Sequence, residues 1–188
     1  MIPIELSRGT GACTFGLSPL FHDAFWDFGK GIYVHRDALI YGGVEPKGCG
    51  MVAAGAVVHG SAACSIGDMV VILEKAVVKS PLMLRGDDPP LKREVPFKIG
   101  SFVLIGRCVA CEAAEIGNCV IVEDNAVLGS LCVIGHGSRI LRDTVIPDAS
   151  VVPPFSVVGG CPPRVVALLN EDAQPLIVRA MISDFVLK

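Results

Sequence analysis

The chain repeats a pattern of six residues over much of its length. Between Ile99 and Cys161 an aliphatic residue returns at every sixth position, apart from Cys111 in one anchor place and a five-residue step before Ile116. The fifth place of each hexad is small or β-branched, and the second is often glycine, which suits a tight corner. This period fits neither an α-helix nor a simple alternating strand, but it is typical of a β-helix built from short strands and turns. We expect the anchors to point inward: Ile99, Ile105, Ile116, Val122, Leu128, Ile134, Ile140, Ile146 and Val152.

The same repeat occurs upstream with interruptions. Anchors recur from Val34 to Val78, although the frame slips between Val58 and Ile66. The polar, proline-bearing residues 79–98 break the pattern, and proline cannot donate a hydrogen bond to a central strand. We therefore predict a loop at one corner of the β-helix, and loops of this length are often functional.

These patterns predict an all-β fold, a single left-handed parallel β-helix of about seven coils with a short C-terminal α-helix. Residues 1–31 form an irregular N-terminal segment, residues 32–163 the β-helix with its corner loop at 79–98, and residues 164–188 a helical tail. The N-terminal segment is rich in Phe and Trp and is a candidate lid or partner contact. The tail is expected to cover the other end.

Composition narrows the possible functions. The content of aliphatic and other hydrophobic residues is 52% with only 6% aromatics, which suits a narrow coil. Glycine, proline or a charge interrupts every apolar run before the roughly 20 residues that a membrane helix needs, so we expect no membrane insertion. The N-terminus lacks the layout of a secretion signal. A net charge of −3 without a basic stripe predicts no nucleic-acid partner.

Eight cysteines raise the question of metal or redox chemistry. Cys108 and Cys111 form a Cys-x-x-Cys pair, but no second pair follows at zinc spacing. Cys132 occupies a small fifth place and is expected to be a buried packing thiol. We interpret the cysteines as reduced structural residues.

Two enzyme classes are common on hexapeptide β-helices. In spacing, the chain resembles the γ-class carbonic anhydrases, whose three zinc-binding histidines would align with Lys79, Arg107 and Glu112. Two cations and a carboxylate cannot form a site of three neutral imidazoles, so we expect no metal and no catalytic residue there.

Acyl transfer is the alternative enzymatic hypothesis, because a histidine at a coil edge can act as general base. The four histidines are His22, His35, His59 and His136. His136 lies in a predicted corner, and Asp124 or Asp143 on neighbouring coils could orient it. A solvated corner histidine is the commoner case, and this hypothesis remains second.

The most distinctive stretch is residues 140–162, with the sequence ILRDTVIPDASVVPPFSVVGGCP. It closely resembles the last coils of the dynactin subunit five family. The interruption Cys111–Glu115, the residues Val95–Gly100 that close the corner loop, and the sequence VHRDALIYGG from Val34 resemble the same family. The resemblance covers residues 32–165 and is most specific from 95 to 162.

This resemblance implies a non-enzymatic structural or adaptor subunit of the dynactin pointed-end complex, without a cofactor, in dynein-driven cargo transport. The partners implied are a sister β-helix subunit, an actin-related protein, a zinc-bearing subunit and dynein cargo adaptors. The implied location is cytoplasmic and associated with the cytoskeleton. The corner loop and the exposed faces of the β-helix are the candidate contacts.

Overall fold

The computed structural model describes residues 24–27, 31–85 and 91–170. All regular elements in this part of the chain are β-strands. The strands are β1 Phe25–Asp27, β2 Ile32–His35, β3 Leu39–Pro46, β4 Gly50–Val52, β5 Val57–Ile66, β6 Val70–Ile72, β7 Val77–Lys79, β8 Leu82–Arg85, β9 Leu91–Glu94, β10 Lys98–Ile99, β11 Val103–Ile105, β12 Ala110–Cys111, β13 Glu115–Ile116, β14 Ile121–Val122, β15 Val127–Leu128, β16 Val133–Ile134, β17 Arg139–Ile140, β18 Val145–Ile146, β19 Val151–Val152, β20 Ser156–Gly159 and β21 Arg164–Leu168.

One sheet, sheet A, runs along the whole stack. Its order is β1-β2-β4-β6-β11-β14-β17-β20-β21. The seven strands from β2 to β20 are parallel, whereas β1 and β21 pair antiparallel at the two ends. Between the first and the last of these seven parallel strands the chain makes about six complete turns, so the all-β parallel solenoid is confirmed with slightly fewer coils than the predicted seven.

A second sheet, sheet B, wraps around a corner and forms the other two faces. The long strand β5 causes this, because its first residues pair with β7 and its last residues pair with β10. We name the faces by their strands. Face A is sheet A. Face B1 contains β7, β12, β15 and β18 together with the first halves of β3 and β5. Face B2 contains β10, β13, β16 and β19 together with the second halves of β3 and β5.

The interior is a column of aliphatic side chains. All nine anchors from Ile99 to Val152 are 0–4% exposed. Within each face they stack in register, as in the row Ile66, Ile99, Ile116, Ile134 and Val152 of face B2. Some fifth-place residues bring a hydroxyl into the core, and Ser138 and Ser156 both donate to the carbonyl of Pro153, at 2.9 and 2.6 Å. Every buried side-chain nitrogen or oxygen atom of the described residues has a hydrogen-bond partner.

The ends of the β-helix differ from the expectation at two places. The predicted helical tail begins at residue 164, but Arg164–Leu168 is strand β21, because it pairs antiparallel with the free edge of β20. The helix expected further along lies outside the described residues. Phe25–Asp27, placed in the irregular N-terminal segment, is strand β1 and covers the other end of the same sheet. The rest of the predicted lid before Ala24 also lies outside the described residues.

The corner loop at 79–98 contains more structure than expected. Its strands β8 and β9 pair with each other as an antiparallel hairpin and with no other described strand. The base of the hairpin is closed by the amide of Val95, which donates to the carbonyl of Pro81 at 2.9 Å. The hairpin is therefore an appendage of the corner, outside the ladders of faces A, B1 and B2.

Candidate functional site

The three residues at the positions of the carbonic anhydrase ligands do not form one cluster of ion pairs. Lys79, at the end of β7, places its Nζ 3.0 Å from Glu112 Oε1 on the neighbouring coil. Arg107 instead pairs with Glu74, with 2.9 Å between Nε and Oε2. Within the described ranges, no group of three or more His, Cys, Asp or Glu side chains is arranged to hold a metal ion. The corner has the features of a half-exposed surface ion pair, whose contribution to stability is about 0–1 kcal/mol.

His136 serves as a hydrogen-bond acceptor for the backbone. Its Nδ1 accepts the amide of Asn118, one coil below, at 2.9 Å. An Nδ1 that accepts a hydrogen bond carries no proton, so the proton of the neutral ring sits on Nε2, and neither nitrogen offers a free lone pair to a substrate. A histidine held in this way is poorly suited to be a general base, and His136 makes no hydrogen bond or ion pair with the described Asp124 or Asp143.

The other described histidines are also held by surface contacts. His59 stacks on Tyr41 of the adjoining strand with ring centroids 4.5 Å apart. His35 meets Phe25 edge to face at 5.1 Å, and its Nδ1 accepts the amide of Asp37 at 3.1 Å. His22 lies outside the described residues.

The Cys-x-x-Cys pair is split between the surface and the core. Cys108 is exposed at a turn, whereas Cys111 is buried among the anchors of face B1. Burial raises the pKa of the Cys111 thiol to about 11 and that of Cys132 to about 12. Thiols with such pKa values hold little thiolate at neutral pH and are chemically inert.

Sequence reasoning missed a ladder of side-chain caps along the corners. The third residue of a hexad accepts the backbone amide of the corresponding residue one coil earlier. Asn118 Oδ1 accepts the amide of Ser101 at 2.9 Å, Asp124 Oδ1 that of Arg107 at 2.7 Å, and Asp148 Oδ1 that of Ser130 at 2.7 Å. The polar residues at this place (Asp68, Ser101, Asn118, Asp124, His136 and Asp148) are the signal in the sequence that could have revealed it.

Face B1 carries an unbroken apolar row on its outer surface. Six outward-facing residues lie in register on successive coils, and each is at least partly exposed. They are Leu39, Val57, Val77, Ala110, Val127 and Val145. With coils about 4.8 Å apart, this row is about 24 Å long. An exposed apolar stripe of this length is characteristic of an interaction surface.

The other two faces differ from face B1. The outer row of face B2 is mostly polar and contains an ion pair between Lys98 and Glu115 at 3.0 Å. The outer row of face A is apolar from Tyr33 to Ile121 and then reaches Arg139, which pairs with Glu123. The uninterrupted apolar row is therefore longest on face B1, where it has six residues against five on face A.

The hairpin β8–β9 presents a smaller apolar surface. Leu82 and Met83 are exposed by 44% and 46%. The backbone of Leu82 is fixed to a coil two turns further along by two hydrogen bonds with the Ser130 hydroxyl, at 3.2 and 3.4 Å. The base of the hairpin is thus attached to the β-helix while its apolar side chains face solvent.

Solved structures with the same architecture are hexapeptide-repeat proteins. A hexapeptide transferase family protein from Anaplasma phagocytophilum is similar at 16% identity, with a TM-score of 0.52, covering 84% of this chain and 91% of that one. The N-acyltransferase AntD from Bacillus cereus has 14% identity, a TM-score of 0.52 and coverages of 82% and 89%. The acyltransferase LpxA from Bacteroides fragilis has 15% identity, a TM-score of 0.51 and coverages of 78% and 63%. At these identities the similarity shows the fold alone.

The family is indicated by the sequence itself. No curated protein matches the chain significantly. In the described part of the chain, no helix is long and apolar enough to span a lipid bilayer. The sequence profile of the family described as dynactin subunit 5 matches residues 25–186, which is most of the 188 residues. This chain therefore belongs to the dynactin subunit 5 family.

Proposed function

We propose that this protein is a non-enzymatic structural subunit of the dynactin pointed-end complex. In this role it supports dynein-driven transport of cargo along microtubules, in the cytoplasm and in association with the cytoskeleton. The observation that carries the proposal is the family match over residues 25–186. The partners implied by the family are a sister β-helix subunit, an actin-related protein, a zinc-bearing subunit and dynein cargo adaptors.

The surface of the β-helix supports a role in assembly. Face B1 offers a flat apolar row whose side chains stand on a backbone already fixed by parallel ladders on both sides. Little conformational entropy is lost when such a surface docks, so more of the gross interaction energy remains as affinity. We propose face B1 as the main contact with another dynactin subunit.

The chemistry at the corners supports a non-enzymatic role. Lys79 and Glu112 are paired with each other, and His136 Nδ1 is used by the backbone. The alternative function is that of an acyltransferase or of a divergent enzyme related to the γ-carbonic anhydrases. Acyltransferases are among the proteins of similar structure, which supports testing the first of these. That alternative requires saturable binding of acetyl-CoA or stoichiometric zinc in the purified protein.

The decisive experiment compares charge insertions on two faces. We expect Val127→Glu with Val145→Glu, on face B1, to abolish co-purification with dynactin subunits from cells. The matched control is Val133→Glu with Val151→Glu, on the same two coils of face B2, whose outer row is polar from Glu45 to Glu115, and it should leave the complex intact. Equal loss from both pairs would reject face B1, and a wild-type protein that co-purifies with no dynactin subunit would reject the proposed function.

A further inference from the structure

The hairpin β8–β9 is bound to the β-helix at a serine of a later coil. In an antiparallel pair the hydrogen-bonded residues alternate, and Val95 donates to Pro81, so the next residue, Leu82, directs its amide and carbonyl away from β9. Both groups meet Ser130. The amide of Leu82 donates to Ser130 Oγ at 3.2 Å, and that hydroxyl donates to the carbonyl of Leu82 at 3.4 Å. A side chain of the β-helix therefore occupies the outer edge of β8 at its first residue.

This contact fills a gap in the ladder of corner caps. Elsewhere in the ladder a third-place side chain accepts the third-place amide of the coil before, as Ser101 Oγ accepts the amide of Asp68 at 3.1 Å. The coil before Ser130 contains the five-residue step Cys111–Ile116, which is one residue shorter than a full hexad. Leu82, from a still earlier coil, supplies an amide to Ser130 in place of the one that this short corner lacks. The insertion at 79–98 and the shortened step are thus two parts of one arrangement.

Ser130 and the root of the hairpin are both held in place. The backbone amide of Ser130 donates to Asp148 Oδ1 on the next coil at 2.7 Å, and the strands before and after this corner are paired on both sides. At the root, the hydroxyl of Ser80 lies 3.3 Å from the thiol of Cys64 in the buried interior. Because the root is fixed, the attachment at Ser130 sets the direction in which the hairpin leaves the corner.

The attachment places the exposed side chains of the hairpin next to face B1. Ser130 lies three residues after Val127 on the same coil, so their backbones are at most about 10 Å apart. Gly129 lies between them and has no side chain to separate the two surfaces. Leu82 and Met83 are 44% and 46% exposed, and Val127 is 38% exposed. The apolar groups of the hairpin therefore continue the outer row of face B1 around the corner.

We propose that Ser130 is a positioning residue for partner binding, which holds Leu82 and Met83 beside the outer row of face B1 so that the same dynactin subunit contacts both. This inference rests on the proposed function and adds a second part to its contact surface. A segment that is ordered before binding loses little conformational entropy when it docks, so fixing the hairpin increases affinity without adding a contact. Two hydrogen bonds at the surface contribute only modestly to the stability of the fold itself.

Amide exchange tests whether Ser130 holds the hairpin. In the purified full chain, Ser130→Ala should make the Leu82 amide exchange with solvent about three- to tenfold faster in NMR experiments, since that amide loses its acceptor. Ser130→Thr keeps the hydroxyl and should keep the slow exchange. Ser101→Ala is the matched control, because the hydroxyl of Ser101 also caps a backbone amide, but one that belongs to a coil. It should leave the Leu82 amide unchanged, and all three variants should melt within about 4 °C of the wild-type protein.

Co-purification from cells tests the consequence for binding. Tagged Ser130→Ala protein should recover several-fold less of the dynactin subunits than the wild type, whereas Ser130→Thr and Ser101→Ala should recover as much. In the background of Leu82→Ser with Met83→Ser, Ser130→Ala should cause no further loss, because Ser130 acts through these two side chains.

Three results would overturn the inference while the wild type still recovers dynactin subunits. They are an unchanged exchange rate of the Leu82 amide in Ser130→Ala, full recovery by this variant despite faster exchange, and an equal loss from Ser130→Ala in the background without the Leu82 and Met83 side chains. A wild-type protein that recovers no dynactin subunit would instead reject the proposed function, and this inference with it.

Discussion

Two positions of each hexad have a special backbone requirement, the fourth for its conformation and the second for its close contact with the next coil. The fourth residue adopts a left-handed conformation even where it is not glycine, as at Cys119 with φ of 55° and Asn125 with φ of 59°. The glycine in the second place serves another purpose, because a Cβ at Gly117 would lie 2.7 Å from the amide nitrogen of His136 on the next coil. The glycines predicted to allow the tight corners are therefore needed for close approach between coils.

The hydrogen bond from the Asn118 amide to His136 can be tested by replacing His136 with another residue that can accept it. His136→Ala should lower the free energy of unfolding by about 0.5–1.5 kcal/mol, since the amide of Asn118 loses its protein acceptor. His136→Asn should restore most of this stability, because Asn118 caps Ser101 in the same way one coil earlier. Urea denaturation measures both values. If the Asn variant is as unstable as the Ala variant, the cap is not what His136 provides.

The buried thiols predict how stability changes at alkaline pH. The folded protein raises the pKa of Cys111 from its ordinary value of 9.0 to about 11, and that of Cys132 to about 12. Below pH 9 both states hold these protons, but above it the unfolded chain releases them first, so stability falls as pH rises. Each thiol contributes up to roughly 1.4 kcal/mol per pH unit in this window.

Urea denaturation at pH 8 and pH 10 checks this expectation. The wild-type protein should lose more stability between the two values than a variant with Cys111→Val and Cys132→Ala, which has no thiol to ionise at these places. Every other residue is the same in the two proteins, so the comparison isolates the two thiols. Identical losses would show that the two thiols do not determine the alkaline behaviour.

At the scale of the element, the unit of stability is a row of anchors that crosses several short strands. Ile134 is 1% exposed and lies in register between Ile116 and Val152. Ile134→Ala should cost about 2–5 kcal/mol and Ile134→Val about 0.5–1.5 kcal/mol, because the stacked coils cannot collapse into the space. Val133→Ala, on the outward side of the same strand, should cost about 1 kcal/mol or less. Thermal or urea unfolding measures the three losses of stability, which should be largest for Ile134→Ala. Similar losses for all three variants would indicate that the interior is not tightly packed.

The anchors could be predicted from the sequence because one side chain in each hexad must point inward. That position is therefore occupied by an aliphatic residue in nearly every repeat. It could not predict strand β21, since Arg164–Leu168 has no hexad and becomes a strand only because β20 leaves an edge to pair with. The partner of Arg107 was also unpredictable, because Glu74 is 33 residues away in the chain and is brought near by the stacking of coils. Features fixed by the repeat are visible in one sequence, whereas contacts between coils depend on the register.

At the scale of the whole molecule, the three faces and two ends have different surfaces on one continuous core. Face B1 is apolar along its outer row, face B2 is largely polar, and the hairpin β8–β9 projects from a corner. The core and the docking surfaces are therefore separable, since outward residues and the hairpin can change without removing an anchor. This separation allows assembly to be tested apart from folding.

The hairpin is the most direct test of that separation. Deleting residues 82–94 and joining Pro81 to Val95 through a short glycine linker should leave the melting temperature nearly unchanged, because β8 and β9 pair only with each other among the described strands. Pro81 is kept because it is buried and its carbonyl already accepts the amide of Val95. We expect weaker incorporation into the dynactin complex, measured by co-purification.

A milder variant separates the role of the hairpin's side chains from that of its backbone. Leu82→Ser with Met83→Ser keeps the hairpin and its hydrogen bonds to Ser130 but removes the two exposed apolar groups. If the hairpin is a docking element, this variant should lose incorporation nearly as fully as the deletion does, because the apolar groups carry most of the binding energy. Wild-type co-purification by the deletion variant would dismiss the hairpin as a contact and leave the outer row of face B1 as the surface through which the β-helix joins its complex.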